Sequence, residues 1–529
     1  MPRYRYRRFG YTAPPELSGG PRRDCKVAIV GAGPIGLSLA IDLALRGVAS
    51  IVLDDNDVVS IGSRAICWAK RTLEIFDRLG VGERMVEKGI IWKVGRVYHR
   101  ERELYAFDLL PEPGHKMPAF INLQQYYVEE YLVERARQFP ELIDLRFKNK
   151  VVGIEDGSGR ATLKVETPDG AYKLHTGYIV ACDGAKSPIR SMLGLDFRGQ
   201  LFEERFLIAD IEMQADFPAD RRFWFEPTFH EGESALLHKQ PDGIYRIDLQ
   251  LGWDADPEEE KKPENVIPRI KSIVGERPFE IDWVSVYTFQ CRRLEHFVHG
   301  RVIFAGDSAH VVSPFGARGG NGGIQDVDAL GWRLAAVVKG EAREGILERY
   351  NAERAHGADE NIRNSARTTT FMTPKSDMEK MMRRAVLDLA ADMPFARRLI
   401  NSGRLSVPCS LERFYDIEAI ANPPPLPPGR VAVDTPLEKR GESTWLLNQL
   451  DDGFTLVTFG DEAKREIDGI RHLRVGADGG DLLDREGFAL ERYGSGFSYL
   501  FRPDQHICAV LREPTAEGVR AAVDKELGR

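Results

Sequence analysis

Four consecutive apolar residues, Val27 to Val30, run directly into the turn GAGPIG, and this junction limits the folds open to the chain more than any other feature. An unbroken apolar strand belongs inside a parallel sheet covered on both faces. A helix is predicted from about Pro34 to Arg46, ended by Gly47, with a second strand closing at Asp54. The spacing of Gly31, Gly33 and Gly36 suits a turn whose backbone amides and helix N-terminus meet a pyrophosphate. A Cβ at the second glycine would obstruct that approach, and the third lets helix and strand pack closely. Asp54 stands where an acidic side chain accepts hydrogen bonds from ribose hydroxyls, while Asp55 and Asp57 read as solvent-facing charges. Together these point to a dinucleotide site.

Length and composition narrow the rest. A chain of 529 residues holds two or three domains, and 43% hydrophobic with 29% charged residues is ordinary globular composition. The net charge of −8 lacks the basic excess that phosphate neutralisation demands, so nucleic acid is not an expected partner. Val27 to Ile41, the longest stretch free of charge, is interrupted by three glycines, a proline and a serine, and is too short to span a bilayer. Six scattered cysteines without a CxxC pair give neither a zinc site nor a disulfide framework, and no metal is expected; a reducing, cytoplasmic setting fits. Arg7 and Arg8 lack the apolar stretch of a twin-arginine signal, so residues 1–24 read as a basic surface arm.

Further along, residues 65–90 read as helical, Gln125 to Gln138 as an amphipathic helix, and 150–180 as a hairpin turning at Pro-Asp-Gly into a buried strand. From about 197 to 290 the period changes to two, in FLIADIEM, RRFWFEP, SALLHKQ, IYRIDLQLGW and DWVSVYTFQCR, which is the pattern of an inserted antiparallel sheet. RVIFAG returns to a buried strand, a long helix follows from about Gly322 to Val338, and 345–400 reads as helical throughout. The stiff segment ANPPPLPPG marks a boundary, beyond which lies a compact βαβ-like unit.

Two later motifs carry chemistry. DGAKSPIR supplies Asp183, Gly184, Ser187 and Arg190 at the end of a buried strand; alone, such an Asp-Gly is usually a turn. In RVIFAGDSAHVVSPFGARGGNGG, Asp307 ends a buried strand and Pro314 stiffens the loop. The glycines after it let backbone approach a flat ligand at a helix N-terminus, an arrangement that stabilises negative charge on a ring.

The three motifs, in this order and at these separations, resemble the class A flavoprotein monooxygenases, the FAD-dependent aromatic hydroxylases, over most of residues 25 to 400. The resemblance implies an α/β fold. An FAD-binding Rossmann-like domain of glutathione-reductase type would occupy 25–195 and 291–400, with part of 91–120 lent to an antiparallel substrate-binding sheet at 196–290. A linker at 401–429 would lead to a thioredoxin-like C-terminal domain at 430–529, as in the phenol hydroxylase branch; without a CxxC, its expected role is structural. Gly31, Gly33, Gly36 and Asp54 inherit the ADP half of FAD. Asp183, Gly184 and Arg190 fall to FAD and the nicotinamide cofactor, Gly306 and Asp307 to the ribityl chain, and Arg64 and Gln125 to further FAD contacts. The loop ending in Gly319, Gly320 and Asn321 would border the flavin ring, although Ala317 replaces its first family glycine and Gly320 its bulky residue.

The implied reaction uses NADH or NADPH and O2 to hydroxylate a small phenolic or related aromatic substrate through a flavin hydroperoxide. An epoxidase or Baeyer–Villiger-type oxygenase acting on a polycyclic compound is the second reading, and a non-catalytic flavin-binding sensor or scaffold the third. No WxWxIP spacing occurs among the tryptophans, which disfavours a halogenase. Pro314 would border the oxygen-reactive face. Candidates for recognising the substrate hydroxyl are Arg222, His238, Tyr245, Arg246, Asp248 and Tyr287 on the inserted sheet. Arg246, Asp248 and Gln250 share one face, which is either a ligand surface or a solvated one. His310 is expected to be structural, and the protein to be a homodimer that does not engage membranes.

Overall fold

The computed structural model describes residues 4–19, 25–62, 64–157, 159–252, 254–400, 405–416, 423–460 and 467–529. Parts of the N-terminal arm (1–3, 20–24) and of the linker (401–404, 417–422) lie outside the described residues.

The apolar strand Cys25–Val30 is central to a parallel array ordered Val302–Phe304, Gly170–Ala181, Cys25–Val30, Ser50–Asp54, Ile143–Phe147. Parallel neighbours on both edges and helices on the faces leave Val27, Ala28 and Ile29 without exposed surface. The Pro34–Leu45 helix is buried continuously from Gly36 to Ala44, so it reads as apolar around most of its circumference. Arg160–Thr167 pairs antiparallel with Gly170–Ala181, the hairpin expected at Pro-Asp-Gly.

A second sheet of eight strands runs His310–Val311, Phe279–Arg293, Arg198–Met213, Ile244–Gly252, Ser234–Lys239, Arg221–Phe225, Val94–His99, Arg102–Asp108. It is antiparallel except where Arg221–Phe225 pairs parallel with Val94–His99, so the insertion is completed by strands from much earlier in the chain. Its period-two pattern separates two faces. Leu207, Ala209, Ile211, Leu237, Tyr245 and Ile247 pack with the Pro263–Val274 helix. Phe206, Phe223, Phe225, Leu236 and Phe289 lie on the other face, with Phe315 of the glycine-rich loop.

Two helical expectations are corrected. Within 65–90, Cys67–Ala69 is a strand paired with Phe120–Asn122, and the helices Lys70–Arg78 and Gly82–Lys88 are separated at Gly80, whose φ of +84° stops the first. Residues 345–400 form three helices, Ile346–Met372, Asp377–Ala390 and Pro394–Ile400, interrupted ahead of Pro374 and Pro394. The N-terminal arm is docked: Tyr4 stacks on Tyr126, Phe9 is buried against Phe147, and Arg7 and Arg8 remain exposed.

The C-terminal unit has its own core around Val457, Phe459, Tyr493, Tyr499 and Phe501. Its seven-stranded sheet includes the run Arg471–Gly476, Thr455–Phe459, Phe497–Phe501, Ile507–Leu511, ending at the sheet edge, the first pair parallel and the next two antiparallel, with Ala516–Leu527 as a closing helix. Arg502 bridges from this unit to Glu353 (2.8 Å), which also accepts from Arg333 (2.9 Å); Asp504 accepts from the Trp332 indole (3.1 Å).

Candidate functional site

Three strand ends of the parallel sheet converge on one rim. At the first, a Cβ on Gly31 would lie 2.4 Å from the Cys182 carbonyl oxygen, and one on Gly36 would lie 1.9 Å from that of Gly31. Only glycine fits either place. A Cβ on Gly33 would meet nothing within 4 Å, so the turn opens onto free space there, as a pyrophosphate cradle requires. Asp54 accepts hydrogen bonds from the amides of Ala32 (2.6 Å) and Asn56 (2.8 Å). Burial pushes its carboxyl up and these two donors oppose the rise, so it braces the glycine turn as well as facing the ribose position.

Beside it, Glu129 accepts from the Ser60 amide (2.5 Å), the Ser60 hydroxyl (2.6 Å) and the Gln125 amide nitrogen (2.8 Å), while Gln125 Oε1 accepts from the Ala65 amide (3.2 Å). Gln125 thus braces the loop that carries Arg64 onto the Gln125–Ala136 helix. Arg64 is exposed, and its carbonyl accepts from Arg246 (2.8 Å). Glu129, the centre of this cluster, carries no motif and escaped the sequence reading.

At the second strand end, Asp183 Oδ2 accepts from the Ile189 amide (3.0 Å), while its Oδ1 is buried with no partner. Gly184 takes a φ of +81° and leaves open space where a Cβ would project. Arg190 donates to the carbonyls of Ser308 (3.0 Å) and Ala185 (2.7 Å), so it ties the second motif to the third.

At the third, Gly306 donates its amide to Asp326 (2.9 Å), whose carboxylate also engages His310 (2.7 Å) and Arg354 (2.6 Å). Asp307 differs from its buried neighbours in being exposed to solvent. The enclosing protein pushes its carboxyl up, with His310 and Arg64 opposing. Pro314 is exposed on the loop that follows.

The Gly319–Val338 helix begins three residues earlier than expected. The first of its amides to find an intrahelical acceptor is that of Gly322, which donates to Arg318 (2.8 Å); the amides of Gly319, Gly320 and Asn321 precede it at the positive end of the helix. The Asn321 side chain is committed elsewhere. It accepts from the Ala69 amide (2.9 Å) and donates to the carbonyls of Cys67 (2.9 Å) and Ala317 (2.6 Å), anchoring the loop to the Cys67–Ala69 strand. The Asn321 side chain thus positions the loop whose backbone the resemblance sets beside the flavin ring. The space over Gly33, the unpaired Oδ1 of Asp183, the open carboxylate of Asp307 and these amides fit FAD laid across the rim.

On the sheet opposite, Arg246, Asp248 and Gln250 are 5%, 7% and 3% exposed, which removes the solvated-face alternative. Arg246 pairs with Asp248 (2.8 Å). Gln250 accepts from the Ser234 amide (3.1 Å) and donates to Glu204 (3.4 Å), a structural use. His238 lies across the strand pair from Arg246, its Nδ1 buried without a partner. Burial first, then Arg221 and Arg246, drive the imidazole well below its ordinary value, so it is neutral. Tyr287 is half-buried opposite Phe206. Tyr245 and Arg222 are corrected: Tyr245 faces the opposite layer and donates to Ala215 (2.6 Å), and half-buried Arg222 lies over Phe217, which packs in that same layer.

Between this sheet and the glycine-rich loop is a cleft of about 750 Å³ including its open mouth, walled by Phe107, Phe223, Phe225 and Phe315. Arg221 lines it, yet sequence reading selected its neighbour. The alternation in Arg221–Phe225 held the signal, since the residue two before the inward Phe223 must also point inward.

A family model described as an FAD binding domain matches residues 24–365. A flavin-dependent monooxygenase of Mycobacteroides abscessus is 34% identical over 351 residues, covering 62% of this chain and 70% of its own. A 3-(3-hydroxy-phenyl)propionate/3-hydroxycinnamic acid hydroxylase of Mycolicibacterium smegmatis is 26% identical over 437 residues, covering 82% of this chain and 76% of its own. Among solved structures, the flavin-dependent monooxygenase PieE in complex with FAD and substrate superposes with a TM-score of 0.82 at 20% identity, over 96% of this chain and 100% of the other.

Proposed function

Given that this chain belongs to the FAD-binding class A flavoprotein monooxygenases and is an FAD-dependent monooxygenase, we propose that it hydroxylates a phenolic ring, with NADH or NADPH as reductant and O2 as oxygen donor. One observation carries this reading: a single loop presents helix N-terminal amides at Gly319 to Asn321 toward the cofactor rim and Phe315 and Gly316 toward the aromatic cleft. Bound FAD supplies hydride acceptance and oxygen activation.

The chain's own residues bind, orient and exclude water. Gly31, Gly33, Gly36 and Asp54 hold the adenosine end, and Asp183, Gly184 and Asp307 hold the middle. The amides ahead of Gly322 stabilise negative charge at the far end of the cofactor. Phenylalanine walls keep the reacting ring dry. Pro314 borders the reacting face. The Arg246–Asp248 pair and neutral His238 act as positioning residues behind the cleft, and half-buried Tyr287 offers a hydroxyl on the same sheet face.

No helix among the described residues is long and apolar enough to cross a membrane. All six cysteines are free, which supports a reducing, cytoplasmic setting. Four neighbouring strands of the seven-stranded C-terminal sheet, Arg471–Gly476, Thr455–Phe459, Phe497–Phe501 and Ile507–Leu511, pair once parallel and twice antiparallel, which supports a thioredoxin-like unit of structural role. Exposed Met378, Met381, Met382 and Phe395 give a homodimer an apolar surface on which to form.

The test is stimulated oxidation. The purified yellow protein should oxidise NAD(P)H faster when a phenol is added and return a product carrying one more oxygen atom. If no aromatic compound in a broad panel accelerates that oxidation, the reading fails.

A further inference from the structure

From Asp55 to Gly62 the chain leaves the second parallel strand and forms no helix or strand. Arg64, just beyond, stands where three parts of the site meet. Its charge opposes the rise of the Asp307 carboxyl on the rim, its carbonyl accepts from Arg246 of the substrate sheet (2.8 Å), and the Cβ of its neighbour Ala65 lies 3.6 Å from where a Cβ on Gly320 would project. The course of residues 57–62 therefore decides where Arg64 is presented.

Two tethers come from the Gln125–Ala136 helix, Glu129 taking the Ser60 amide (2.5 Å) and Gln125 the Ala65 amide (3.2 Å). A third comes from the N-terminal arm. Gly62, between those two points, is buried at a φ of +81°, and a Cβ there would fall 2.3 Å from the Trp283 indole, so the loop lies directly on the substrate sheet. Its amide donates to the Tyr6 hydroxyl (3.0 Å), 56 residues away in the chain. A buried amide needs such an acceptor, and without it this course is disfavoured. The arm is anchored to deliver that hydroxyl. Tyr4 stacks on Tyr126 (4.1 Å between ring centres) and donates to Glu130 (3.0 Å), Tyr6 sets its ring edge-on to Tyr126 (5.5 Å), and buried Phe9 donates its amide to the Asp57 carbonyl (2.6 Å). It grips the loop at Asp57 and Gly62, and also the helix that supplies the other two tethers.

We propose that residues 4–9 are a clasp on this loop and that Tyr6 is a positioning residue for Arg64. The assignment rests on FAD binding and is independent of which aromatic substrate reacts. With the clasp closed, Gly62 sits on Trp283 and Arg64 is held between Asp307 and Arg246; with it open, that register is lost. No described residue of the arm lines the cleft, so its influence on the cofactor passes through the loop.

The experiment compares the native protein with Tyr6→Phe, with a form lacking residues 1–9, and with Arg7→Ala, which removes surface ion pairs with Glu134 (3.0 Å) and Glu130 (3.9 Å). Each apoprotein is titrated with FAD by the quenching of flavin fluorescence, and hydrogen exchange is followed in peptides covering 57–66 and 25–30. The apparent Kd grows by the factor by which the held form of the loop is depleted. Tyr6→Phe should raise it about threefold, the scale of one uncharged hydrogen bond, and the deletion about tenfold or more, while Arg7→Ala changes it less than about twofold. Exchange across 57–66 should quicken in the first two while 25–30 stays protected. Should the deleted form fail to fold, Tyr6→Phe decides alone. An unchanged FAD affinity in Tyr6→Phe overturns the proposal, and so does a weakened affinity with loop exchange unaltered, because the loop would not be the intermediary. A loss matched by Arg7→Ala, or accompanied by faster exchange in 25–30, overturns it too, since the arm would then act on the fold at large. If the FAD differences appear and no aromatic compound stimulates NAD(P)H oxidation, the clasp stands and the hydroxylase reading falls.

Discussion

Ala317 adopts a φ of +53° at the head of the glycine-rich loop, in a region where an L-residue with a Cβ costs about 1–2 kcal/mol. Asn321 holds it there by donating to its carbonyl (2.6 Å), so the strain is borne by a tether to the Cys67–Ala69 strand. Ala317→Gly should raise the stability of the cofactor-free protein by roughly 1 kcal/mol, read as an upward shift in Tm; a fall in Tm would show that the alanine is not strained. Asp307→Ala should fold normally and purify with much less FAD, and a flavin-to-protein absorbance ratio unchanged from the native protein would refute the role of that carboxylate. Residues such as Asp54, Asp307 and Gly33 were legible in the sequence because their meaning lies in a strand, a turn and a helix within one short segment. Glu129, Asp326 and Tyr6 were not, because what defines each is a partner far away in the chain.

Elements set the walls around those residues. The Asp377–Ala390 helix is held to the substrate sheet by buried Glu226, itself at a φ of +48°, which accepts from Arg383 (2.6 Å) and Arg384 (3.3 Å). This pair joins the helices closing the cleft to the end of the strand that carries Arg221, so Glu226→Gln should loosen that wall. Hydrogen exchange across 377–400 is expected to quicken while exchange in Cys25–Val30 stays unchanged; equal protection in both proteins would remove the clamp. The period-two segments and the glycine-bounded parallel strands were readable because burial on one or both faces writes itself into local pattern. The parallel pairing of Arg221–Phe225 with Val94–His99 was not, since register between distant segments leaves no local trace.

At the scale of the whole molecule, Glu353 is the junction. It accepts from Arg333 on the Gly319–Val338 helix and from Arg502 in the C-terminal unit. Burial pushes its carboxyl up, but Arg333 and Arg502 outweigh burial and hold it well below the ordinary value of 4.5. A carboxyl depressed in the native state adds stability above its unfolded pKa and surrenders it as pH falls, so the native protein should lose stability below about pH 4.5. Glu353→Gln, leaving two buried guanidinium groups short of a counter-charge, should cost about 3–5 kcal/mol at neutral pH and show a flatter acid limb in urea denaturation. Identical acid limbs would mean that other groups govern the response. Trp332 and Arg333 meet Asp504 of the C-terminal unit, on the same helix whose first turn carries Gly319 to Asn321. Anyone shortening the gene to obtain a smaller catalyst would bare an indole and stranded cations at the back of that helix, so a minimal version needs its rear surface rewritten rather than an early stop codon.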